Sequence, residues 1–153
     1  MNEPNTELAS NRRATHDYEI LETFEAGLAL QGTEIKSIRN HGATLNESYV
    51  RVIKGEVWLI GCHVAPYRFG NVHNHVETRD RKLLLHKREI NRLKTATQEK
   101  GLTIIPLSLY LKKGRVKIRI GLAKGKKTMD KRADLKEKDA KRQMQQVMKN
   151  FNT

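Results

Sequence analysis

"YVRVIKGEVWLIGC", residues 49–62, is the stretch on which the fold turns. Two apolar-rich runs flank a Lys54-Gly55 pair, the pattern of a β-hairpin with a two-residue loop. That loop sets Val52 opposite Val57 and Val50 opposite Leu59, with Arg51 across from Trp58 on the other face. Trp58, Ile60 and Cys62 are apolar too, so the second strand is expected to be buried on both faces. Such a strand asks for a barrel interior on one side and a covering helix on the other.

"LSLYLKKGRVKIRI", residues 107–120, has the same grammar around Lys113-Gly114. It predicts pairs Leu111–Val116, Leu109–Ile118 and Leu107–Ile120 on a wholly aliphatic face. The opposite face pairs Lys112 with Arg115, Tyr110 with Lys117 and Ser108 with Arg119. A cationic strand face with one aromatic in it suits a phosphate backbone and a stacked base, while a merely solvated face is the plainer reading.

Upstream, "DYEILETFEAGLALQ" reads as strand, turn at Glu25-Ala26-Gly27, and strand. "GTEIKSIRNHG" predicts a short helix with Thr33 as N-cap, Glu34 in the first turn, Ile35 and Ile38 on one face, and Gly42 ending it. A second helix is expected from about Leu85 to Lys100, stopped by Gly101 and Leu102. Between Pro66 and Arg81 no period holds, which predicts a long exposed loop. Five or six strands without βαβ alternation define a mainly β fold: an OB-type small β-barrel with two or three flanking helices and a basic C-terminal tail, disordered when free. The expected organisation is a flexible N-terminus over 1–10, an RNA-binding body over 11–124, and a tail over 125–153 that becomes helical on binding.

Charge is unevenly placed along the 153 residues. Residues 1–111 hold 15 Lys and Arg against 13 Asp and Glu, whereas residues 112–153 hold 15 against 4, so most of the net +13 lies in the last quarter. A one-sided cationic field attracts phosphate polymers, and binding through it weakens steeply with salt. In the tail, Asp134 with Lys138 and Glu137 with Lys141 are favourable acid-before-base pairs, but the only sizeable apolar residue from Asp130 to Arg142 is Leu135. A helix there is permitted and marginal alone in water. Met144, Val147 and Met148 recur at helical spacing, fitting either burial on the body or a docking turn for a partner.

Cys62 is alone, which excludes a disulfide framework and a cysteine-based zinc site. Met1 to Arg13 lacks the apolar core of a signal peptide, and no run approaches the roughly 18 apolar residues of a membrane span. Cytoplasmic residence without a membrane partner is the expectation. No phosphate-loop, dinucleotide or hydrolase-elbow motif is present, and no catalytic role, cofactor or metal is expected. His73, His75 and Asp80 offer a weak rival reading as a metal-dependent nuclease. Cys62 and His63, as strand neighbours, point to opposite faces and do not form a catalytic pair.

"NRRATHDYEI", "FEAGLALQGTEIKSIR", "EVWLIGCHVAPY", "RKLLLHKREINRL", "KGLTIIPLSLYLKKGRVKI" and "GLAKGKKTMDKR" together resemble the bacterial small protein B family, the SsrA-RNA-binding proteins of trans-translation. The resemblance spans about residues 10–149. It implies an adaptor without catalysis, a monomer whose body clasps the tRNA-like part of transfer-messenger RNA. Its tail would enter the empty mRNA channel of a stalled ribosome, at the 16S rRNA of the decoding centre. The body positions it implies for RNA are Asn11, Arg12, Glu34, Lys36, Leu84, Lys124, Gly125, Lys126 and Lys127. Those it implies for the tail's path in the ribosome are Met129, Asp130, Lys131, Arg132, Lys138, Lys141, Arg142, Val147 and Met148. Glu34 admits two readings: an acid favoured by the helix dipole, or an acceptor for base amino groups or a ribose 2′-OH. Met129 departs from the many family members that carry His or an aromatic there, and a thioether does not stack as a plane. The alternative function is a constitutive ribosomal or generic OB-type RNA-binding protein.

Overall fold

The structure is a computed structural model and describes residues 6–67 and 74–125. Both hairpins form. β4 (Tyr49–Ile53) and β5 (Glu56–Ile60) pair Val52 with Val57, Arg51 with Trp58 and Val50 with Leu59, as the spacing requires. β8 (Thr103–Lys112) and β9 (Arg115–Gly125) pair Leu111 with Val116 and Leu109 with Ile118. Lys54 and Gly55 have φ of 51° and 77°, and Lys113 and Gly114 have 51° and 76°. Both loops thus hold two consecutive left-handed residues, the geometry whose twist matches the flanking strands.

One expected pair fails. Ile120 faces Pro106 rather than Leu107, because the register shifts between Pro106 and Ser108. Pro106 has no N–H to give the ladder, and a bulge is where a strand tolerates that loss. A second correction concerns Glu25-Ala26-Gly27, which is no turn: β2 (Tyr18–Leu28) runs straight through it. Phe24 and Ala26 are buried while Glu25 points out, so the triplet is ordinary strand alternation. A Cβ at Gly27 would lie 3.4 Å from Leu84 Cβ and 3.6 Å from Lys117 Nζ, ordinary contact distances, so the triplet carries no turn requirement there either.

Thr6–Ser10, assigned to the flexible N-terminus from sequence, forms β1 along β8, with Leu8 buried in the core. α1 (Ala14–Asp17) follows; its single turn left no readable periodicity. The first predicted helix is α2 (Gly32–Arg39), with Gln31 rather than Thr33 as N-cap. Gln31 N–H donates to Glu34 Oε1 at 2.8 Å while the Gln31 side chain accepts from the Glu34 backbone, a reciprocal capping box. β3 (Ala43–Thr44) and β6 (His63–Val64) form a small separate pair, and β7 (Arg81–Leu84) was hidden in "RKLLLH" because three successive leucines show no alternation. α3 (Lys87–Glu99) ends at Gly101, whose φ of 65° turns the chain so that Leu102 N–H reaches Ala96 O.

The main sheet runs β1-β8-β4-β5-β7-β2-β9, and β8 also pairs with β9, so six strands close into a ring with β1 outside. Among the described residues the result is mainly β with three helices, as the pattern predicts. Leu59, Val57, Leu83, Ile104, Leu109, Ile118 and Ile120 fill the ring, with Leu93 of α3 and Ile38 of α2 packed onto the same core. Trp58 and Ile60 on the other face of β5 are only half-buried, less covered than the sequence suggested.

Candidate nucleic-acid interface

β2 is the axis of the candidate surface. At its start Tyr18 pairs with Gly125 and Glu19 with Lys124; near its end Gly27 pairs with Leu84. Nine residues at about 3.3 Å each separate those points by roughly 30 Å along the strand. The body positions implied by the family therefore fall into two groups. Asn11, Arg12, Lys124 and Gly125 lie toward one end, tied together through Ala14, Ile105 and Ala123 in a small buried cluster. Glu34, Lys36 and Leu84 lie toward the other.

At the first end, Asn11 donates from Nδ2 to Pro106 O at 3.0 Å and from its backbone to Leu107 O at 2.8 Å. It bridges the bulge of β8 and fixes the approach of the exposed Arg12. Lys124 and Gly125 are exposed at the end of β9. Lys126, Lys127 and all the tail positions, Met129 to Met148, lie outside the described residues.

At the second end, Glu34 is fully buried, not presented to solvent. Its Oε1 accepts from Arg79 Nη2 at 2.5 Å and its Oε2 from Arg81 Nε at 2.5 Å, in addition to the Gln31 N–H. Direct acceptance from a base or ribose is thus corrected: both oxygens are already engaged. Burial alone would raise the Glu34 pKa, but the bonds from Arg79, Gln31 and Arg81 outweigh it and hold the carboxyl below its usual range. Arg81, itself fully buried, spends its remaining donors on the carbonyls of Cys62, Arg79, Val76 and Glu77. One guanidinium thus staples the 76–79 segment to β5's exit and to α2, with each donor satisfied as burial demands.

His75 completes that staple. Its Nε2 donates to Val64 O and its Nδ1 accepts from Thr33 Oγ, both at 2.9 Å. With both ring nitrogens committed and the ring buried, His75 is not available to a metal, which removes the centre of the nuclease reading; His73 lies outside the described residues. Cys62 is buried, and burial pushes its thiol up to about 11, so it stays protonated near neutrality. What the staple presents outward is Lys36, whose Nζ sits 5.4 Å from the Tyr67 ring centroid, and Leu84, which is 52% exposed.

Between the ends lies the outer face of β8 and β9. Lys112 faces Arg115, Tyr110 faces Lys117 and Ser108 faces Arg119, as read from sequence. Tyr110, however, is only 4% exposed, donates its hydroxyl to Glu25 Oε2 at 2.5 Å and has Arg119 5.6 Å from its ring. It is covered and is no platform for a base. Burial and the Glu25 carboxylate raise its pKa, and its hydrogen bond, opposed by burial and helped by Lys112, lowers that of Glu25. Sequence reasoning missed Arg79, Arg81 and Glu25, whose partners lie 45, 47 and 85 residues away and leave no local signal.

Exposed lysines and arginines flank two anchored ends of one strand, on a ring-shaped sheet whose surplus charge begins in its last hairpin and continues beyond it. That defines a class: a small β-sheet protein built to meet an extended polyanion. Comparison with known proteins narrows it. The family model "SmpB protein" matches residues 8–150. An SsrA-binding protein of Protochlamydia amoebophila is 70% identical over 149 residues, 97% of each chain. One from Chlamydia muridarum is 55% identical, covering 94% of this chain and 95% of the relative. A solved chain described as "tmRNA-SmpB: a journey to the center of the bacterial ribosome" is 48% identical with a TM-score of 0.65, covering 82% of this chain and 87% of that one. The chain belongs to the SmpB family.

Proposed function

We propose that the protein is an RNA-binding adaptor of trans-translation, which binds the tRNA-like part of transfer-messenger RNA and delivers it to stalled ribosomes. The observation that carries this reading is the family match across residues 8–150, joined by SsrA-binding relatives along nearly the whole chain. Residues 125–153 then enter the empty mRNA channel, supplying electrostatics and a helix formed on binding. The work is adaptor work in the cytoplasm, done by a monomer without catalysis; among the described residues no helix is long and apolar enough to cross a membrane.

The geometry of the described residues supports a division of labour in this reading. Arg12, Lys36, Leu84, Lys124, Gly125, Lys126 and Lys127 meet RNA. Asn11 and Glu34 act through what they hold: Asn11 sets the approach of Arg12, and Glu34 sets α2 and the Arg79–Arg81 segment that frames Lys36. The test is competition between transfer-messenger RNA and bulk RNA across a salt series. The adaptor reading expects the preference for transfer-messenger RNA to persist as salt rises. Equal affinity for unrelated RNAs at moderate salt would instead mark a generic RNA-binding protein.

A further inference from the structure

A cleft of about 360 Å³ opens between α1, the start of β2 and the 46–49 turn that leads into β4. Its size falls within the roughly 300–1,000 Å³ of ordinary small-ligand sites. Arg13, Asp17, Tyr18, Asn46, Glu47 and Tyr49 line it. Among the described residues, the side chains of Arg13, Tyr18, Asn46 and Tyr49 make no hydrogen bond or ion pair. Tyr49 is 43% exposed.

The wall carrying Asn46 and Tyr49 is built, not loose. Leu45 is buried, and its carbonyl accepts from both the Ser48 backbone, at 3.1 Å, and the Ser48 hydroxyl, at 2.5 Å. Glu47 sits at φ 66°, and a Cβ on Gly61 would come within 3.2 Å of the Glu47 carbonyl. Glycine at 61, itself at φ 79°, lets the turn seat against the strand exit. Tyr18 is fixed from the other side by pairing with Gly125, so the cleft abuts the point where the tail begins.

Its charge is the informative feature. In a chain of net +13, this lining holds one cation, Arg13, against the carboxylate of Glu47 and that of Asp17, which already has a partner of its own. A lining of that sign is a poor cradle for phosphate. It suits an uncharged ring with amino or hydroxyl donors, because aromatic faces stack on any base and the Glu47 carboxylate and Asn46 amide oxygens accept from its exocyclic amines or from a ribose 2′-OH. We infer that this cleft is a subsite for one unstacked nucleoside of the RNA partner, held against Tyr49 and Tyr18 beside the root of the tail. The inference rests on the adaptor reading and adds a base-reading element to a surface otherwise suited to phosphates.

The experiment compares wild type, Tyr49→Ala and Tyr49→Phe for transfer-messenger RNA affinity over a salt series, with 2′-OH acylation footprinting of the bound RNA. Tyr49→Ala is expected to weaken binding about five- to a hundredfold, the range for losing one stacked base, without changing the slope against log salt. One unpaired nucleotide becomes reactive in that complex, and Tyr49→Phe stays within about twofold of wild type. Matching melting temperatures establish that the exposed position leaves the fold intact. Tyr49→Ala binding like wild type, a footprint unchanged at every nucleotide, or a loss confined to the salt slope would each overturn the subsite. The adaptor reading is judged separately, by the wild-type preference for transfer-messenger RNA over bulk RNA; should that preference be missing, the same substitution judges the cleft on whichever RNA binds.

Discussion

Glu34 shows what one residue's surroundings decide. Its position in a first helical turn was legible, and so was the stabilisation of an acid there by the helix dipole. Its burial was not, because Arg79 and Arg81 arrive from more than forty residues away and nothing local announces them. Glu34→Ala leaves the fully buried Arg81 guanidinium without its carboxylate, and urea unfolding should register a loss of about 3–5 kcal/mol. The pH dependence follows with its sign. A carboxyl held below its usual value of 4.5 in the fold stabilises fully above the unfolded pKa, and the contribution fades as pH falls through the lowered folded one. Glu34→Gln should therefore flatten that part of the acid limb when unfolding midpoints are followed from neutrality to below pH 4, with a parallel smaller effect for Glu25→Gln.

At the scale of elements, the two Lys-Gly hairpins were readable because local chemistry determines them: two left-handed residues, then alternation on either side. β1, β7 and the continuity of β2 were not. β1 is stabilised by a neighbour about a hundred residues distant, pairing Thr6 with Leu111 and Ser10 with Ser108. β2 exposes Glu19, Leu21, Thr23 and Glu25, and its Glu25-Ala26-Gly27 triplet mimics a turn until its buried partners are seen. β1 belongs to the body if Leu8, 5% exposed, contributes as core residues do. Leu8→Ala is then expected to lower stability by about 2–3 kcal/mol in equilibrium unfolding, whereas a dispensable arm would give a change near zero. The outer face of β8 and β9 was read correctly as cationic, yet the tie between Tyr110 and Glu25 was invisible because it crosses from one strand to the next but one.

The whole molecule sets a nearly charge-balanced stretch, residues 1–111, beside a strongly basic one that begins inside the β8–β9 hairpin and runs on past it. Residues 112–153 carry a surplus of eleven positive charges. Each phosphate contact adds about 0.7–0.9 to the slope of log affinity against log salt, so replacing Lys124 by Ala should lower that slope by somewhat under one while leaving discrimination among RNAs intact. The central claim is that the body recognises transfer-messenger RNA while residues from Asp130 onward act in the ribosome. A chain ending at Met129 tests it most directly, measured side by side for transfer-messenger RNA affinity and for release of stalled ribosomes. The account predicts affinity largely retained and rescue abolished; affinity lost with ribosome entry preserved, or rescue undiminished, would contradict it.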